Sequence, residues 1–251
     1  MSGDFVLTTI DGPVARLTLN DPARANALST PMMAALQGAL DSANVDPDVR
    51  VIVLAAAGKV FCAGHDLAEL RATNDPDAHQ ALFDRCSELM LAIGASRAPV
   101  IAKAAGAAVA AGCQLVASCD LAYAAEGARF AVSGINLGLF CSTPGVAVGR
   151  AIGRKAAAEM LLTGRFVSAA RAAELGLINA AVPAADLDRI VDEAAQSIAA
   201  KPPEAIALGK AVFRRQMEAP LEEAYAIAGR AMAENLGFES ARAGIDGFLK
   251  R

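Results

Sequence analysis

A run of small residues, Ala104–Gly112, constrains the fold of this chain more than any other feature of its sequence. Eight of these nine residues are alanine or glycine. Such a run lets the backbone approach a ligand closely, and it lets a helix pack tightly against its neighbours. The apolar segment Pro99–Ala102 predicts a buried strand before the run, and Cys113–Ser118 predicts one or two helical turns after it. Because the first amides of a helix have no intrahelical partner, the stretch is typical of either an oxyanion-binding site or a tightly packed core helix.

Strand-like and helix-like segments alternate along the chain up to about residue 200. After Pro202 and Pro203, apolar residues recur only at helical spacing. The alternation predicts an α/β body over residues 1–200, and residues 201–251 predict a small all-helical module. Strands are predicted at 5–10, 14–19, 51–57, 100–102, 121–124, 129–131 and 178–182. Helices are predicted at 29–43, 65–72, 78–95, 113–118, 144–152, 155–163, 169–175, 186–200, 204–218, 221–234 and 239–250.

The charge of the chain excludes some classes of partner. It carries 23 Lys and Arg against 27 Asp and Glu, a net charge of −4, with both signs interspersed. This balance argues against nucleic acid as the main partner, and no polybasic patch or long apolar run indicates a membrane. The N-terminus, Met1–Asp4, turns strand-like almost at once, without the pattern of a signal or transit peptide. A cytoplasmic location in a bacterium is the simplest expectation.

The cysteines predict neither a disulfide framework nor a metal site. There are five, an odd number, with no CxxC pair and with small apolar neighbours, so we expect buried free thiols. Only two histidines occur, and no pair of candidate ligands has metal-binding spacing. The cysteines are Cys62, Cys86, Cys113, Cys119 and Cys141.

Two long motifs, FCAGHDLAEL at 61–70 and GAAVAAGCQLVASCDL at 106–121, carry a family resemblance. They resemble the signatures FxAGxDLxEL and GxxxGGGxELxxxCDL of the crotonase, or enoyl-CoA hydratase/isomerase, superfamily. The similarity continues through Asn20–Ser29, Met160–Gly164 and Ala172–Ile178, in the order of the family. Several long motifs in order are far more specific than one glycine pattern. The chain is therefore identified as a member of this superfamily.

Within the superfamily the chain most resembles the enoyl-CoA hydratase domain-containing protein 3 group, which shares AAGCQLVASCD and NLGLFCSTPG. The resemblance implies a crotonase-type spiral of ββα units, with a C-terminal helical region that packs at a trimer interface. It implies an acyl-CoA thioester as ligand and self-association as a homotrimer or a dimer of trimers. It implies a lyase of fatty acid metabolism, with no cofactor beyond the coenzyme A of the substrate.

The resemblance also implies which residues bind the thioester. In this family the thioester carbonyl accepts two backbone N–H groups, and the matched positions here are His65 and Ala111, where Ala111 replaces a glycine. Each such donor contributes roughly 10²–10³ in rate, because it stabilises enolate charge in a dry site. Arg24 would hold the CoA phosphates, unless it is simply a solvated loop arginine. The implied substrate- and CoA-binding residues are Arg24, Ala63, His65, Asp66, Leu67, Ala68, Ala111, Gly112 and Phe140.

The acid/base pair of the hydratases is missing. Hydratases carry one glutamate in the position of Gln114 and another in the position of Gly134. Neither residue here exchanges a proton near neutral pH. Hydration of an enoyl thioester needs a base to activate water and an acid to protonate the α-carbon, and each typically contributes roughly 10²–10⁴ in rate. The sequence therefore predicts thioester binding and enolate stabilisation without efficient hydration.

Other residues leave alternatives open. Asp66, Glu69 and Asp120 are carboxylates near the motifs, although the family uses the first and last structurally. His65 presents either an imidazole that hydrogen-bonds a substrate carboxylate or a satisfied histidine at a helix start. Cys141 falls on the loop that lines the acyl pocket in the family, but as a nucleophile it has no obvious base nearby in sequence.

Three hypotheses for the function follow. A true hydratase requires an unrecognised carboxylate in the pocket. A decarboxylase or thioesterase would use His65, Gln114 or Cys141; AGHDL with NLG also resembles methylmalonyl-CoA decarboxylase, although that enzyme has a pocket tyrosine at the position of Cys141. A binding or regulatory protein would hold acyl-CoA without turnover.

Overall fold

The computed structural model describes residues 4–250, which form two β-sheets surrounded by helices. The strands are β1 (Val6–Asp11), β2 (Val14–Leu19), β3 (Val51–Ala56), β4 (Val60–Cys62), β5 (Val100–Ala104), β6 (Ala107–Val109), β7 (Leu121–Ala125), β8 (Arg129–Ala131), β9 (Val167–Ser168) and β10 (Ala180–Val182). The helices are α1 (Thr30–Val45), α2 (Leu67–Arg71), α3 (Pro76–Ala95), α4 (Ala111–Ser118), α5 (Ser142–Ala151), α6 (Arg154–Thr163), α7 (Ala169–Leu175), α8 (Leu187–Ala199), α9 (Pro203–Met217), α10 (Leu221–Leu236) and α11 (Glu239–Leu249).

The strands follow a repeated pattern between the two sheets. The larger sheet has the order β1-β2-β3-β5-β7-β10, and the smaller has the order β4-β6-β8-β9. In the pairs β3–β4, β5–β6 and β7–β8, the first strand joins the larger sheet and the second joins the smaller one, and a helix follows. Only the β1–β2 hairpin and the β8–β9 pair are antiparallel within residues 4–250. The predicted α/β class and ββα spiral are confirmed.

Local sequence signals explain where several elements begin. The β1–β2 hairpin turns at Gly12, whose φ of +53° lies in the left-handed region that glycine enters freely. The side chain of Ser29 caps α1 by accepting the Met32 amide. Apolar side chains of β2, β3 and β5 pack against one face of α8, and α1 and α3 contribute to the larger core cluster.

Three of the four strands of the smaller sheet were not predicted from the sequence, whereas β8 was. Strands β4, β6 and β9 have only two or three residues each, too few for an alternation pattern to stand out. Strand β6 lies inside the run Ala104–Gly112, so this run is a strand followed by a helix start. The helix predicted from His65 begins two residues later, because the carboxylate of Asp66 caps it.

The three C-terminal helices bury little of their apolar surface. Ile227 is their one fully buried apolar residue among those the structure describes. Lys210 is the main polar attachment of α9: its Nζ lies 2.7 Å from the Asp120 carboxylate and donates to the carbonyls of Ile93 and Ala98. The division into 1–200 and 201–251 stays a prediction. Between residues 4 and 250, no helix combines the length and hydropathy that a membrane span requires.

Candidate active site

Three segments meet at one edge of the smaller sheet. Strands β4, β6 and β8 are parallel neighbours. Ala63–His65 follows β4, Ala110–Ala111 follows β6, and Val132–Gly134 follows β8. Because the carboxyl ends of parallel strands lie at the same edge of a sheet, residues far apart in sequence come together here, where ligands of α/β proteins commonly bind.

The backbone at His65 is oriented by the peptide that precedes it. The Leu28 amide donates to the Gly64 carbonyl at 2.8 Å. In a trans peptide the C=O and the N–H point in opposite directions, so the His65 N–H is directed away from Leu28. Within residues 4–250, no backbone carbonyl accepts the His65 N–H. Gly64 has φ of +93°, and a methyl group there would lie only 3.2 Å from the Ala111 nitrogen. Gly64 therefore brings the two amides close together.

The amide of Ala111 is the first of α4. The Ala110 carbonyl accepts the Gln114 amide at 3.0 Å, as the first bond of the helix. The Ala111 N–H therefore points out of the helix N-terminus, and no described residue accepts it. Gly112 allows this arrangement, because a methyl group there would lie 2.2 Å from the Cys62 carbonyl oxygen.

Ala110 is a site residue that the sequence analysis passed over. Its φ of 50° and ψ of −117° lie in a region that favours glycine. Its own amide is fixed by a 2.8 Å bond to the Ala131 carbonyl. The family signature has glycine at this position, so the departure from that pattern was the available signal. Strain of this kind typically costs about 1–3 kcal/mol and clusters at functional sites.

A cavity of about 270 Å³ lies beside the His65 amide. Six of the nine predicted substrate- and CoA-binding residues line it, together with Ala27. The predicted lining residues are Arg24, Ala63, His65, Asp66, Leu67 and Ala68. The cavity is not lined by Ala111 or Gly112, which lie at the start of α4, nor by Phe140, which is half exposed on a separate loop.

The charges at the cavity belong to Arg24 and Asp66. Arg24 Nε donates to Asp21 Oδ2 at 2.8 Å, and its Nη1 donates to Asp66 Oδ2 at 3.3 Å. The other oxygen of Asp66 accepts the amides of Ala68 and Glu69 and so caps α2. Asp66 is therefore fully used in holding the cavity wall. The Arg24 side chain remains about half exposed, with its guanidinium at the cavity.

The imidazole of His65 is neutral and has one free nitrogen. Nδ1 lies 3.4 Å from the Leu28 carbonyl oxygen, so it is the nitrogen that carries the proton. Nε2 is buried and has no partner within residues 4–250. The ring stands edge-on to Phe83 at a centroid distance of 5.4 Å. Burial lowers the pKa of His65 below 6.5, so Nε2 presents a lone pair at neutral pH.

The two positions where hydratases carry glutamate differ here: one has a buried amide side chain, and the other has no space for a side chain. Gln114 is 4% exposed, and its Oε1 has no partner among the described residues. Gly134 has no room for a side chain: a methyl group there would lie 2.5 Å from the Leu139 carbonyl oxygen and 2.8 Å from Cys141 Sγ. The loop has therefore closed over the space that a second glutamate would need.

The remaining carboxylates near the motifs are committed elsewhere. Glu69 Oε2 accepts the Thr30 amide at 2.8 Å. Asp120 Oδ2 accepts the Val100 amide at 2.7 Å and pairs with Lys210. Together with the capping role of Asp66, these bonds give each of the three carboxylates a structural partner.

The cysteines are free, as predicted, and four of the five are buried. Burial raises the pKa of Cys62 and Cys113 to about 12 and that of Cys86 to about 11. Burial also raises the pKa of Cys141, although its Sγ accepts the Gly134 amide at 3.3 Å. A protonated thiol in this position is a poor nucleophile. Within the described residues, no group of three or more His, Cys, Asp or Glu side chains could hold a metal ion.

Comparison with known proteins identifies the family. Residues 9–251 match the family model described as enoyl-CoA hydratase/isomerase. The chain belongs to this family. It is 44% identical over 238 residues to enoyl-CoA hydratase domain-containing protein 3, mitochondrial, of Xenopus laevis, covering 95% of this chain and 81% of that protein. The human protein of the same name is 43% identical over 242 residues, covering 96% and 80%. The predicted resemblance to this group is confirmed.

Solved structures of the family agree with the fold. The crystal structure of an enoyl-CoA hydratase from Mycobacterium smegmatis has a TM-score of 0.96 and 54% identity, covering 98% of this chain and 96% of that one. Human enoyl-CoA hydratase domain-containing protein 3 has a TM-score of 0.95 and 41% identity, covering 98% and 97%. The crotonase fold of this family member extends through its C-terminal helices.

One expectation from the sequence is wrong. The cytoplasmic location is contradicted by the relatives of the domain-containing protein 3 group from frog, rat, zebrafish and human, all of which are named mitochondrial. Targeting signals are carried by segments outside the folded domain, so the sequence pattern of the fold was a weak basis for that expectation.

Proposed function

We propose that this protein binds an acyl-CoA thioester and stabilises negative charge on its carbonyl oxygen through the amides of His65 and Ala111. One observation carries the proposal: both amides are free, and Gly64 places them side by side at the ends of neighbouring strands. Preorganised donors of this kind typically contribute roughly 10²–10³ in rate each when charge develops on the oxygen. This is the arrangement that enolate chemistry of a thioester requires.

The coenzyme A portion would lie in the cavity beside His65. The cavity wall from Ala63 to Ala68 includes the N-terminus of α2, and Arg24 supplies a half-exposed guanidinium for the phosphates. The carboxylates of Asp21 and Asp66 hold that guanidinium in place and offset part of its charge. Arginine suits phosphate because its planar donors match the phosphate oxygens.

Ordinary hydratase turnover is not part of the proposal. The side chain of Gln114 does not ionise near neutral pH and so cannot act as an acid or a base, and the loop at Gly134 excludes a side chain. Glu69 accepts the Thr30 amide and Asp120 accepts the Val100 amide, so both carboxylates have structural partners. The site therefore supports binding and enolate stabilisation without a group that activates water.

The same residues support two other reactions, thioester hydrolysis and decarboxylation, to different degrees. A thioesterase that used Cys141 is disfavoured, because its thiol is buried and its pKa is raised. Decarboxylation needs no base and fits the amide pair better. However, neutral His65 offers a lone pair rather than a donor to a substrate carboxylate, so among the two side chains only the amide of Gln114 could donate. A non-catalytic acyl-CoA-binding protein needs none of these groups.

Self-association as a trimer or a dimer of trimers remains part of the proposal. Large apolar side chains on the C-terminal helices are exposed, among them Phe213, Met217, Leu221, Tyr225, Met232 and Phe248. Surfaces of this kind are typically buried between protomers. Light scattering at micromolar concentration should give three or six protomers, and a stable monomer would contradict this part.

The amide pair is tested by two ligands that differ only at the carbonyl. Butyryl-CoA carries the thioester carbonyl, and S-butyl-CoA is the thioether with a methylene in its place. We expect butyryl-CoA to bind more tightly by calorimetry and to raise the melting temperature more, because only it accepts the two amides. Equal affinity for the two ligands would contradict an oxyanion site, and no binding of either would contradict the proposed function.

The variant Ala111→Pro removes one donor from the pair. At the first position of a helix, the missing N–H of proline leaves no intrahelical bond unmade. Its ring carbon also fills the space in front of the nitrogen, so we expect the preference for butyryl-CoA over S-butyl-CoA to fall by at least about tenfold, through the lost donor and the filled space together. Glu239→Pro, at the first position of α11, is the matched control and should leave the preference unchanged.

A further inference from the structure

We propose that Asn26 is a positioning residue for the oxyanion site: its buried side chain fixes the loop that turns the His65 amide into the cavity. The inference rests on the proposed function, because it concerns the orientation of one of the two amides. Asn26 entered the sequence analysis only as part of the segment Asn20–Ser29, with no role of its own.

The side chain of Asn26 makes three hydrogen bonds, all to backbone. It is fully buried, at 0% exposure. Its Oδ1 accepts the Asp21 amide at 2.9 Å, and its Nδ2 donates to the carbonyls of Ala57 at 2.9 Å and Val60 at 2.8 Å. Ala57 directly follows β3 and Val60 begins β4, so this one amide ties the loop 21–28 to the connection between the two sheets.

The residues on either side of Asn26 hold the oxyanion segment directly. The Ala63 amide donates to the Ala25 carbonyl at 3.0 Å, and the Leu28 amide donates to the Gly64 carbonyl at 2.8 Å. Nδ1 of His65 lies 3.4 Å from the Leu28 carbonyl. Three successive residues, 63 to 65, are thus held by residues 25 and 28. If the loop moved, the peptide between residues 64 and 65 would lose the bond that sets its orientation.

The backbone of the loop also selects asparagine. Ala25 and Asn26 have φ of 52° and 53°, in the left-handed region that asparagine enters more readily than most residues. The loop is packed tightly against the β3–β4 connection, since a methyl group at Gly58 would lie 2.7 Å from the Pro22 side chain. Asn26 therefore satisfies a backbone requirement and a side-chain requirement at once.

The variant Asn26→Gly separates these two requirements. Glycine keeps the left-handed φ freely, and it removes all three side-chain hydrogen bonds. A looser loop should weaken binding of the coenzyme A portion to some extent, because Arg24 and Ala27 of the same loop line the cavity, and it should weaken binding of the thioester carbonyl more. Asn26→Asp is the second variant: it keeps the acceptor for Asp21 but loses both donors to Ala57 and Val60.

The control is Asn44→Ala, at the far end of α1. The Asn44 side chain accepts the Arg97 amide at 2.9 Å and the Ser96 hydroxyl at 3.1 Å, so its removal also breaks side-chain ties to a connecting segment. Those ties hold the segment before β5 and have no bond to residues 63–65. It should therefore lower the melting temperature without changing selectivity between ligands.

The experiment measures the affinities of butyryl-CoA and S-butyl-CoA for the four proteins by calorimetry, and the carbonyl stretching frequency of bound butyryl-CoA. In Asn26→Gly we expect the thioester preference to fall by about tenfold and the carbonyl frequency to move toward that of the free ligand, because one donor is misaligned. Asn26→Asp should show the same changes in preference and frequency. If the glycine variant does not fold, the aspartate variant tests the positioning role alone. Asn44→Ala should have the same thioester preference and the same carbonyl frequency as the wild type.

The outcomes separate the inference from the proposed function. If the Asn26 variants keep the wild-type preference and frequency, or lose affinity for both ligands equally, the positioning role is overturned. A selective loss in Asn44→Ala would overturn it as well, because general destabilisation would then explain the effect. A wild type that binds both ligands equally would instead contradict the oxyanion site itself.

Discussion

At the scale of single residues, Ala110 departs from what its backbone prefers. Its φ of 50° favours glycine, and the cost is offset by bonds that fix its neighbours: Ala110 donates to Ala131 and accepts from Gln114. The strained peptide is the one that presents the Ala111 amide. The backbone conformation at position 110 would suit glycine better than alanine. The small side chains of the run 104–112 serve close packing.

The variant Ala110→Gly should stabilise the protein. Relief of strain exceeds the extra chain entropy of glycine, so the free energy of unfolding should rise by about 1 kcal/mol. Urea denaturation measures this directly. Ala107→Gly, in β6 with ordinary backbone angles, is the control and should destabilise. Equal destabilisation by both changes would show that Ala110 is not strained.

The burial of His65 predicts a dependence of stability on pH. Its folded-state pKa is lowered from 6.5, mainly by desolvation. Below pH 6.5 the unfolded chain therefore takes up a proton that the folded protein resists, so stability should fall as pH decreases from about 6.5 toward the folded pKa. The free energy of unfolding measured between pH 8 and pH 5 should fall less in His65→Gln than in the wild type. An identical pH profile for both proteins would contradict a neutral buried imidazole.

At the scale of elements, the loop after β8 leaves no space for a side chain at position 134. Gly134 lies in a 3-10 helix, Ser133–Leu137, whose continuation folds back so that the Leu139 carbonyl and Cys141 Sγ lie close to its α-carbon. Its φ lies outside the left-handed region, so contact with neighbours, rather than backbone strain, is what excludes a side chain. A missing glutamate is here a property of the whole loop.

Restoring the glutamates should therefore fail without a change in the loop. Gly134→Glu is expected to lower the free energy of unfolding by about 1–3 kcal/mol through overpacking. Gln114→Glu alone should give little hydration, because acid and base act as a unit. Gly127→Glu, at a position with open space and no left-handed φ, is the control for stability and should be tolerated. A stable Gly134→Glu protein would show that the loop yields easily.

The elements show how far sequence reasoning reaches. Long patterns such as α3 and α8 and the capped start of α1 at Ser29 were predictable from periodicity and capping. The motifs also pointed to His65 and the other residues between 63 and 68 that line the cavity, while the binding roles of His65 and Ala111 stay predictions. The strands β4 and β6 were missed, because their pairing depends on long-range contacts of very short segments. The roles of Asn26 and of the space at Gly134 come from tertiary packing, which local patterns do not encode.

At the scale of the whole molecule, one buried ion pair joins the C-terminal helices to the α/β body. The Lys210 side chain on α9 is 7% exposed and pairs with Asp120, the residue that also accepts the Val100 amide at the start of β5. Lys210 also donates to the carbonyls of Ile93, near the end of α3, and Ala98, in the connection to β5. Because α9–α11 have few buried apolar residues, these polar contacts form a large part of the attachment.

Lys210→Met should therefore destabilise the protein by about 3 kcal/mol, because it leaves Asp120 partly buried without its partner. Glu218→Gln breaks the exposed pair with Arg150 and should cost less than about 0.5 kcal/mol. Thermal unfolding of both variants gives the comparison. Near-equal effects would show that Lys210 is dispensable for attachment of α9.

Hydration of crotonyl-CoA by the unmodified protein is the most direct test of the central claim, that the oxyanion amides are present while the acid/base pair is absent. The loss of enoyl-thioester absorbance is followed at saturating crotonyl-CoA, with binding checked by the rise in melting temperature. The account predicts that crotonyl-CoA binds and that its absorbance falls no faster than without protein. Rapid loss of absorbance would contradict it, since one of the carboxylates of Asp66, Glu69 or Asp120 would then have to reach the substrate.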